Sequence, residues 1–230
     1  VVIDPYSPVI SYVEHLPSSP NYNDTVSVVA SVIEPQNASG VKLVKLSYRS
    51  DSTWTDVTMT LKGTLYTANI PALPYQTNIK YKVYAFDNAD NQATSSVYSY
   101  IVDDQYPPII EAPAWEPTEP FADEKVNVTV RVSEPTGASG VKNVTLWYKT
   151  NEEWNLENMT LKNGNWTATI PGQSGDVTVE LYIEAYDNAG NHAVTTTYSY
   201  LVKALPGIPL AWLAIIGLGI AALVATLLYY

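Results

Sequence analysis

The sequence predicts an all-β protein, two tandem seven-stranded sandwiches followed by one C-terminal transmembrane helix. Three observations lead there. The chain aligns with itself without a gap at an offset of one hundred residues; apolar and polar residues alternate within each copy; and a long uncharged apolar run closes the sequence. The duplication is direct. "EPQNASGVKLVKLSY" (Glu34–Tyr48) lies over "EPTGASGVKNVTLWY" (Glu134–Tyr148), "MTLKGTLYTANIP" over "MTLKNGNWTATIP", and "YSYIV" over "YSYLV", with about 38 of the hundred aligned positions identical. The copies divide the chain into residues 1–103, residues 104–203, and a Pro-containing linker with the membrane helix over 204–230.

Alternation justifies the strands of each copy, because side chains on a strand point to opposite faces in turn. In the first copy Ile79, Tyr81, Val83 and Ala85 share one face, with Lys80, Lys82, Tyr84 and Phe86 on the other. In the second, Val126, Val128, Val130 and Val132 alternate with Asn127, Thr129 and Arg131, and Val144, Leu146 and Tyr148 with Asn143, Thr145 and Trp147. Turn chemistry separates the runs at Ala38-Ser39-Gly40, Lys62-Gly63, Ile70-Pro71 and Asn163-Gly164. About seven strands in about a hundred residues is the rhythm of an immunoglobulin-like sandwich.

One further segment recurs. "FDNADN" (Phe86–Asn91) and "YDNAGN" (Tyr186–Asn191) fall between the last two strands of each copy. Two readings stand. Asn, Asp and Gly tolerate left-handed backbone and cap their own turns, which makes the segment a turn. Chain tracing also brings the start of the first strand and the ends of the second and sixth to one pole. Asp104, Glu134, Asp187 and Asn188 would then gather near Asp103, and Asp4, Glu34, Asp87 and Asp90 at the matching pole of the first copy. Such oxygen-rich sets suit Ca²⁺, although the spacing matches no EF-hand loop.

After Lys203 the composition changes. "PLAWLAIIGLGIAALVATLLYY" (Pro209–Tyr230) is uncharged and long enough, at 1.5 Å per helical residue, to cross a hydrocarbon core of about 30 Å. Trp212 stands near one end and Tyr229-Tyr230 at the other, as interfacial belts do. Gly217, Ala221 and Ala225 form a small-residue stripe that would let a second helix pack closely. No basic cluster marks an inner side, so orientation comes from Asn-X-Ser/Thr triplets at Asn23, Asn37, Asn127, Asn143, Asn158 and Asn165. Chance would give about three. Carried mainly on outward strand positions, they predict N-linked glycans, both copies outside the cell and the C-terminus on the cytoplasmic side.

Composition excludes several classes. The net charge is −11, with nine acids against six bases in residues 1–103 and fourteen against six in 104–203. Repulsion from phosphates argues against nucleic acid. The absence of Cys removes disulfides and thiolate chemistry. His15 and His192 lie in different copies, and Glu152-Glu153 and Asp123-Glu124 are sequence neighbours that would point to opposite faces of a strand. No enzyme is expected. Trp54 and Trp154, and Tyr66 and Trp166, recur at matching positions, either as core or rim fillers or as a sugar-stacking platform. The sequence opens at Val1 without Met, which reads as a mature product or a piece of something longer.

The segments "YKVYAFDNADNQATSSVYSYIV" and "YIEAYDNAGNHAVTTTYSYLV" resemble immunoglobulin-like and fibronectin type III-like repeats of prokaryotic surface proteins. With "SGVKNVTLWYK", the triplets, the missing Cys and the apolar tail, the chain looks most like an archaeal, S-layer-associated cell-surface glycoprotein. The resemblance implies a non-catalytic stalk or interaction module that anchors a surface protein to the membrane. Two rivals remain: an accessory single-span subunit of a membrane complex, docking through the Gly217 stripe or a sandwich face, and a carbohydrate-binding adhesion module of a larger surface enzyme or receptor. No Arg-Gly-Asp occurs to support integrin-type adhesion.

Overall fold

The computed structural model describes residues 4–206. The first copy runs β1 (Val9–Leu16), β2 (Val26–Ile33), β3 (Val41–Arg49), β4 (Thr55–Thr58), β5 (Thr60–Lys62), β6 (Leu65–Ile70), β7 (Asn78–Asp87), β8 (Gln92–Thr94) and β9 (Tyr98–Ile101). One antiparallel sheet has the order β1-β2-β6-β5; the other is β4-β3-β7, with both β8 and β9 on the far side of β7. The second copy follows as β10 (Ile109–Ile110), β11 (Ala114–Glu116), β12 (Val126–Val130), β13 (Val132–Ser133), β14 (Val141–Lys149), β15 (Asn155–Asn158), β16 (Thr160–Lys162), β17 (Asn165–Ile170), β18 (Val177–Asp187), β19 (His192–Val194) and β20 (Tyr198–Val202). Its sheets are β11-β12-β17-β16 and β15-β14-β18 with β19 and β20 on β18, plus the short β10-β13 pair. Among the described residues every sheet pairs strands of one copy only. This strand order, two antiparallel sheets joined by crossovers, is that of an immunoglobulin-like or fibronectin type III-like sandwich.

Each copy makes seven chain passes, but more than seven segments, for three local reasons. The fourth pass changes sheets: Thr55–Thr58 pairs with β3 and Thr60–Lys62 with β6. Met59 sits at the corner, 4% exposed, its N–H donating to the Val44 carbonyl at 2.8 Å, and Met159 repeats the burial at 5%. The last pass is split because a hydroxyl replaces a carbonyl in the ladder. Ser95 N donates to the Val83 carbonyl, and Val83 N donates to Ser95 Oγ, both at 2.9 Å. Thr195 does the same against Ile183. The first pass is continuous in one copy and broken in the other, where Pro113, which lacks an N–H, separates β10 from β11.

Alternation delivers the core. Along β2, Val26, Val28, Ala30 and Val32 are buried and face Val44 and Leu46 from β3 and Ile79, Tyr81, Val83 and Ala85 from β7. The second copy buries Val126, Val128, Val130, Val144, Leu146, Val179, Leu181, Ile183 and Ala185 in the same places. Each such aliphatic side chain contributes on the order of 1.5–3 kcal/mol by leaving water.

Among the described residues no helix is long and apolar enough to cross a membrane. The apolar run Pro209–Tyr230, with Gly217, Ala221 and Ala225, lies outside the described residues.

Candidate functional site

The recurrent Asp-Asn segment forms a dense polar constellation in each copy. Asp87 ends β7 with no exposure at all. Its Oδ1 accepts from Ala89 N at 2.9 Å and Asn91 N at 2.8 Å, and its Oδ2 from Asn91 Nδ2 at 2.7 Å. Asp187 is equally buried and accepts at Oδ1 from Gly190 N (2.6 Å) and Asn191 N (2.7 Å), and at Oδ2 from Asn191 Nδ2 (2.8 Å). The buried carboxylate thus caps the loop's own amides.

The two asparagines extend the network to other segments. Asn88 Nδ2 donates to the carbonyls of Ser39 and Gly40 at 2.9 and 3.0 Å, and Asn188 Nδ2 to those of Ser139 and Gly140 at 2.9 and 2.8 Å. Asn91 Nδ2 reaches the Asp4 and Tyr6 carbonyls, and Asn191 Nδ2 those of Asp104 and Tyr106. Three segments distant in sequence are therefore stapled at one pole of each sandwich. Gly40 and Gly140 hold left-handed backbone there, at φ +90° and +85°, conformations that suit glycine best.

At that pole carboxylates converge. One oxygen each from Asp104, Glu134 and Asp187 lies within 4.8 Å of the others, and Asp4, Glu34 and Asp87 repeat the arrangement. Asp104 is 3% exposed and accepts from Tyr106 N (3.1 Å) and Ser139 N (2.8 Å); Asp4 accepts from Tyr6 N (3.0 Å) and Ser39 N (2.5 Å). The glutamates are served less well. Glu134 accepts from Gly140 N through Oε2 alone, and Glu134 Oε1 and both carboxylate oxygens of Glu34 are buried without a hydrogen-bond partner. Burial, with the charges of Asp187 and Asp104 behind it, pushes the Glu134 carboxyl up to about 7 despite the opposing Gly140 bond. Burial and the charges of Asp87 and Asp4 raise Glu34 too, whereas backbone donors from Tyr6 and Ser39 lower Asp4.

Of the oxygen-bearing residues singled out in the sequence, the structure brings together Asp104, Glu134 and Asp187, and Asp4, Glu34 and Asp87. Asn188 stands beside the first set as a donor to carbonyls. Asp90 projects to Lys42 at 2.5 Å, with 76% of its side chain exposed, and Asp103 accepts from Asp104 N and Gln105 Nε2. Asn91, Asn191 and the Ser39 and Ser139 amides were missed as parts of the staple. Their identity in both copies was the available signal.

The remaining candidates are surface features. Asn23, Asn37, Asn127, Asn143, Asn158 and Asn165 are all exposed, though Asn127 Oδ1 accepts from Thr169 Oγ1 at 2.8 Å. Trp54 and Trp154 are half-buried beside the outer face of their sheets. Arg49 and Lys82 lie 4.8 and 4.6 Å from the Trp54 ring centre, and Lys149 lies 4.8 Å from that of Trp154, whose ring also meets Tyr182 edge-on at 4.7 Å. Tyr66 and Trp166 are half-buried as well. His15 stacks on Tyr100 at 4.8 Å and bonds the Tyr81 hydroxyl at 2.9 Å. The aligned Trp115 fills the same place against Tyr200. His192 stacks on Tyr186 at 5.3 Å.

No family model and no curated protein matches the sequence. Among solved structures, the FN1–FN3 domains of chicken CNTN1 are similar at 13% identity and TM-score 0.37, over 87% of this chain and 68% of that one. The fibronectin(III)-like modules of Clostridium thermocellum CbhA are similar at 15% identity and TM-score 0.33, over 86% and 98%. At these scores the sandwich assignment rests on this chain's own strand order.

Proposed function

We propose that the chain is a non-catalytic extracellular stalk and interaction module, held to a membrane by residues 209–230, in a surface glycoprotein of the S-layer-associated type or a similar one. One observation carries this reading. The residues identical in both copies include those that shape the sandwich: the Asp87/Asp187 caps, the Asn88/Asn188 and Asn91/Asn191 staples, the Met59/Met159 corners and the core valines. A duplicated scaffold with divergent faces suits a spacer that displays surfaces. The six exposed asparagines in glycan-acceptor triplets and the uncharged tail support an outside location with a single span.

Fractionation tests it. Produced in cells that glycosylate Asn-X-Ser/Thr, the full chain is expected to stay with membranes through an alkaline carbonate wash. It should lose residues 1–203 to protease added outside intact cells and carry glycan mass on the exposed asparagines. Recovery in the wash, or protection from the external protease, would overturn the reading.

A specific surface favours a second reading, a carbohydrate-binding adhesion module. In the second copy Trp147 stacks on Tyr182 at 6.0 Å with 10° between ring planes, and Trp154 closes on the same tyrosine. Aromatic faces of this kind can stack on sugar rings. Glycan-array binding that disappears in Trp154→Ala would support it, and an array without signal would dismiss it.

A further inference from the structure

The two carboxylate poles pose an electrostatic problem, like charges packed together with few donors to hold them. Three acidic groups meet within 4.8 Å, and two of them are aspartates that accept hydrogen bonds from backbone amides. The third is a glutamate: Glu34 Oε1 and Oε2 each expose less than 1 Å² and have no partner. Glu134 Oε1 is as enclosed, with the Asp187 carboxylate rather than a donor beside it, while Glu134 Oε2 accepts from Gly140 N. An unpaired buried carboxylate oxygen costs free energy, and more beside like charge. The same three acids converge at the same place in both copies, which differ at most other positions, and each glutamate keeps at least one enclosed oxygen without a donor, which makes it a built feature.

We propose that each copy binds one Ca²⁺-like hard divalent cation, between Asp4, Glu34 and Asp87 in the first copy and between Asp104, Glu134 and Asp187 in the second. An ion at the centre of three oxygens no more than 4.8 Å apart lies at most about 2.8 Å from each. A slight contraction reaches the 2.3–2.6 Å of Ca²⁺–oxygen contacts, while Mg²⁺ would demand roughly 2.0–2.1 Å and a regular octahedron. The donor set is all oxygen, which suits a hard cation over a thiophilic one. Each glutamate carboxylate faces two aspartates, so a doubly charged ion answers the repulsion and the unmet oxygens together. Asn88 and Asn188 donate from Nδ2 to carbonyls and thereby set the loops around the ion. With three carboxylates per site, the affinity belongs with extracellular modules, Kd roughly 0.1–1 mM.

Calorimetry and thermal melting of the full chain in detergent, stripped of metal with a chelator, test the proposal. Addition of CaCl₂ should give heat corresponding to two ions per chain and a rise in Tm beyond that produced by NaCl at equal ionic strength. Glu34→Gln and Glu134→Gln keep the side chain's shape and remove a repelling charge, so both variants should melt in chelator no lower than the wild type. Each should bind one ion, and the double variant none within a tenfold range of the wild-type Kd. Absence of heat and of a Ca²⁺-specific melting shift at about 10 mM would overturn the proposal and leave a shared proton as the group that relieves the glutamates. Two ions still bound by the double variant would overturn it as well.

Discussion

Asn188 illustrates how a side chain that the sequence puts at an oxygen-rich pole can act through either end of its amide. Its position after Asp187 put it at the oxygen-rich pole, and an asparagine there can offer a carbonyl to a cation or an amide to the backbone. The sequence cannot distinguish the two ends of the side chain, because the choice depends on which groups the neighbouring loop presents. Here the loop presents the Ser139 and Gly140 carbonyls, and the amide goes to them. The substitution Asn188→Asp separates the roles. A carboxylate in that place would lose both donated bonds and face two carbonyl oxygens. Losing two bonds at about 1 kcal/mol each predicts a destabilisation of roughly 2 kcal/mol in urea denaturation, with no tightening of Ca²⁺. Tighter Ca²⁺ binding at unchanged stability would make Asn188 a ligand. Glutamates 34 and 134 show another case. Their location followed from chain tracing, but the lack of a donor for three of their four carboxylate oxygens emerges only from the packed structure.

Strands were legible wherever alternation was regular, as along Val126–Val132 and Ile79–Ala85, because one buried face suffices to fix the period. Interruptions were not legible, since they depend on partners remote in sequence. Nothing local to Ser95 or Thr195 announces that its hydroxyl will take a carbonyl's place opposite Val83 or Ile183. Likewise "MTLK" reads as one strand, although its methionine turns the chain from one sheet to the other. The β5–β6 and β16–β17 hairpins carry a sharper lesson about aligned positions. Asn163 and Gly164 both hold positive φ, 50° and 83°, the pattern of a type I′ turn; in the first copy only Gly63 does, at 62°, as at the first central residue of type II′. Aligned residues 64 and 164 therefore carry different demands. A Cβ on Gly164 would meet nothing within 4 Å, so Gly164→Ala suffers only the left-handed backbone penalty of about 1–2 kcal/mol. Thr64→Ala, at the aligned place, should change stability by less than about 0.5 kcal/mol. Chemical denaturation of the two variants checks the pair, and equal losses would refute the assignment of two turn types.

Over the full chain, charge sets the balance between screening and pairing. The net charge of −11 spreads like charge over a surface on which ion pairs such as Lys42–Asp90 and Lys203–Glu119 are solvent-exposed. Exposed pairs of this kind stabilise by about 0–1 kcal/mol each and weaken with salt. Self-repulsion of an acidic body weakens with salt as well, and the two effects oppose one another. The Debye length falls from about 30 Å at 0.01 M to about 10 Å at 0.1 M, so screening first removes the many long-range repulsions and only later the few short contacts. Repulsion wins on number. Raising NaCl from about 10 to 150 mM should therefore raise Tm by a few degrees, and a fall would show that pairing dominates. The same titration isolates the poles near Asp4 and Asp104. Their carboxylates are too close together for a diffuse Na⁺ atmosphere to relieve them. A melting increment from Ca²⁺ at matched ionic strength, abolished when Glu34 and Glu134 are both changed to Gln, is thus separable from the response of the molecule's overall charge.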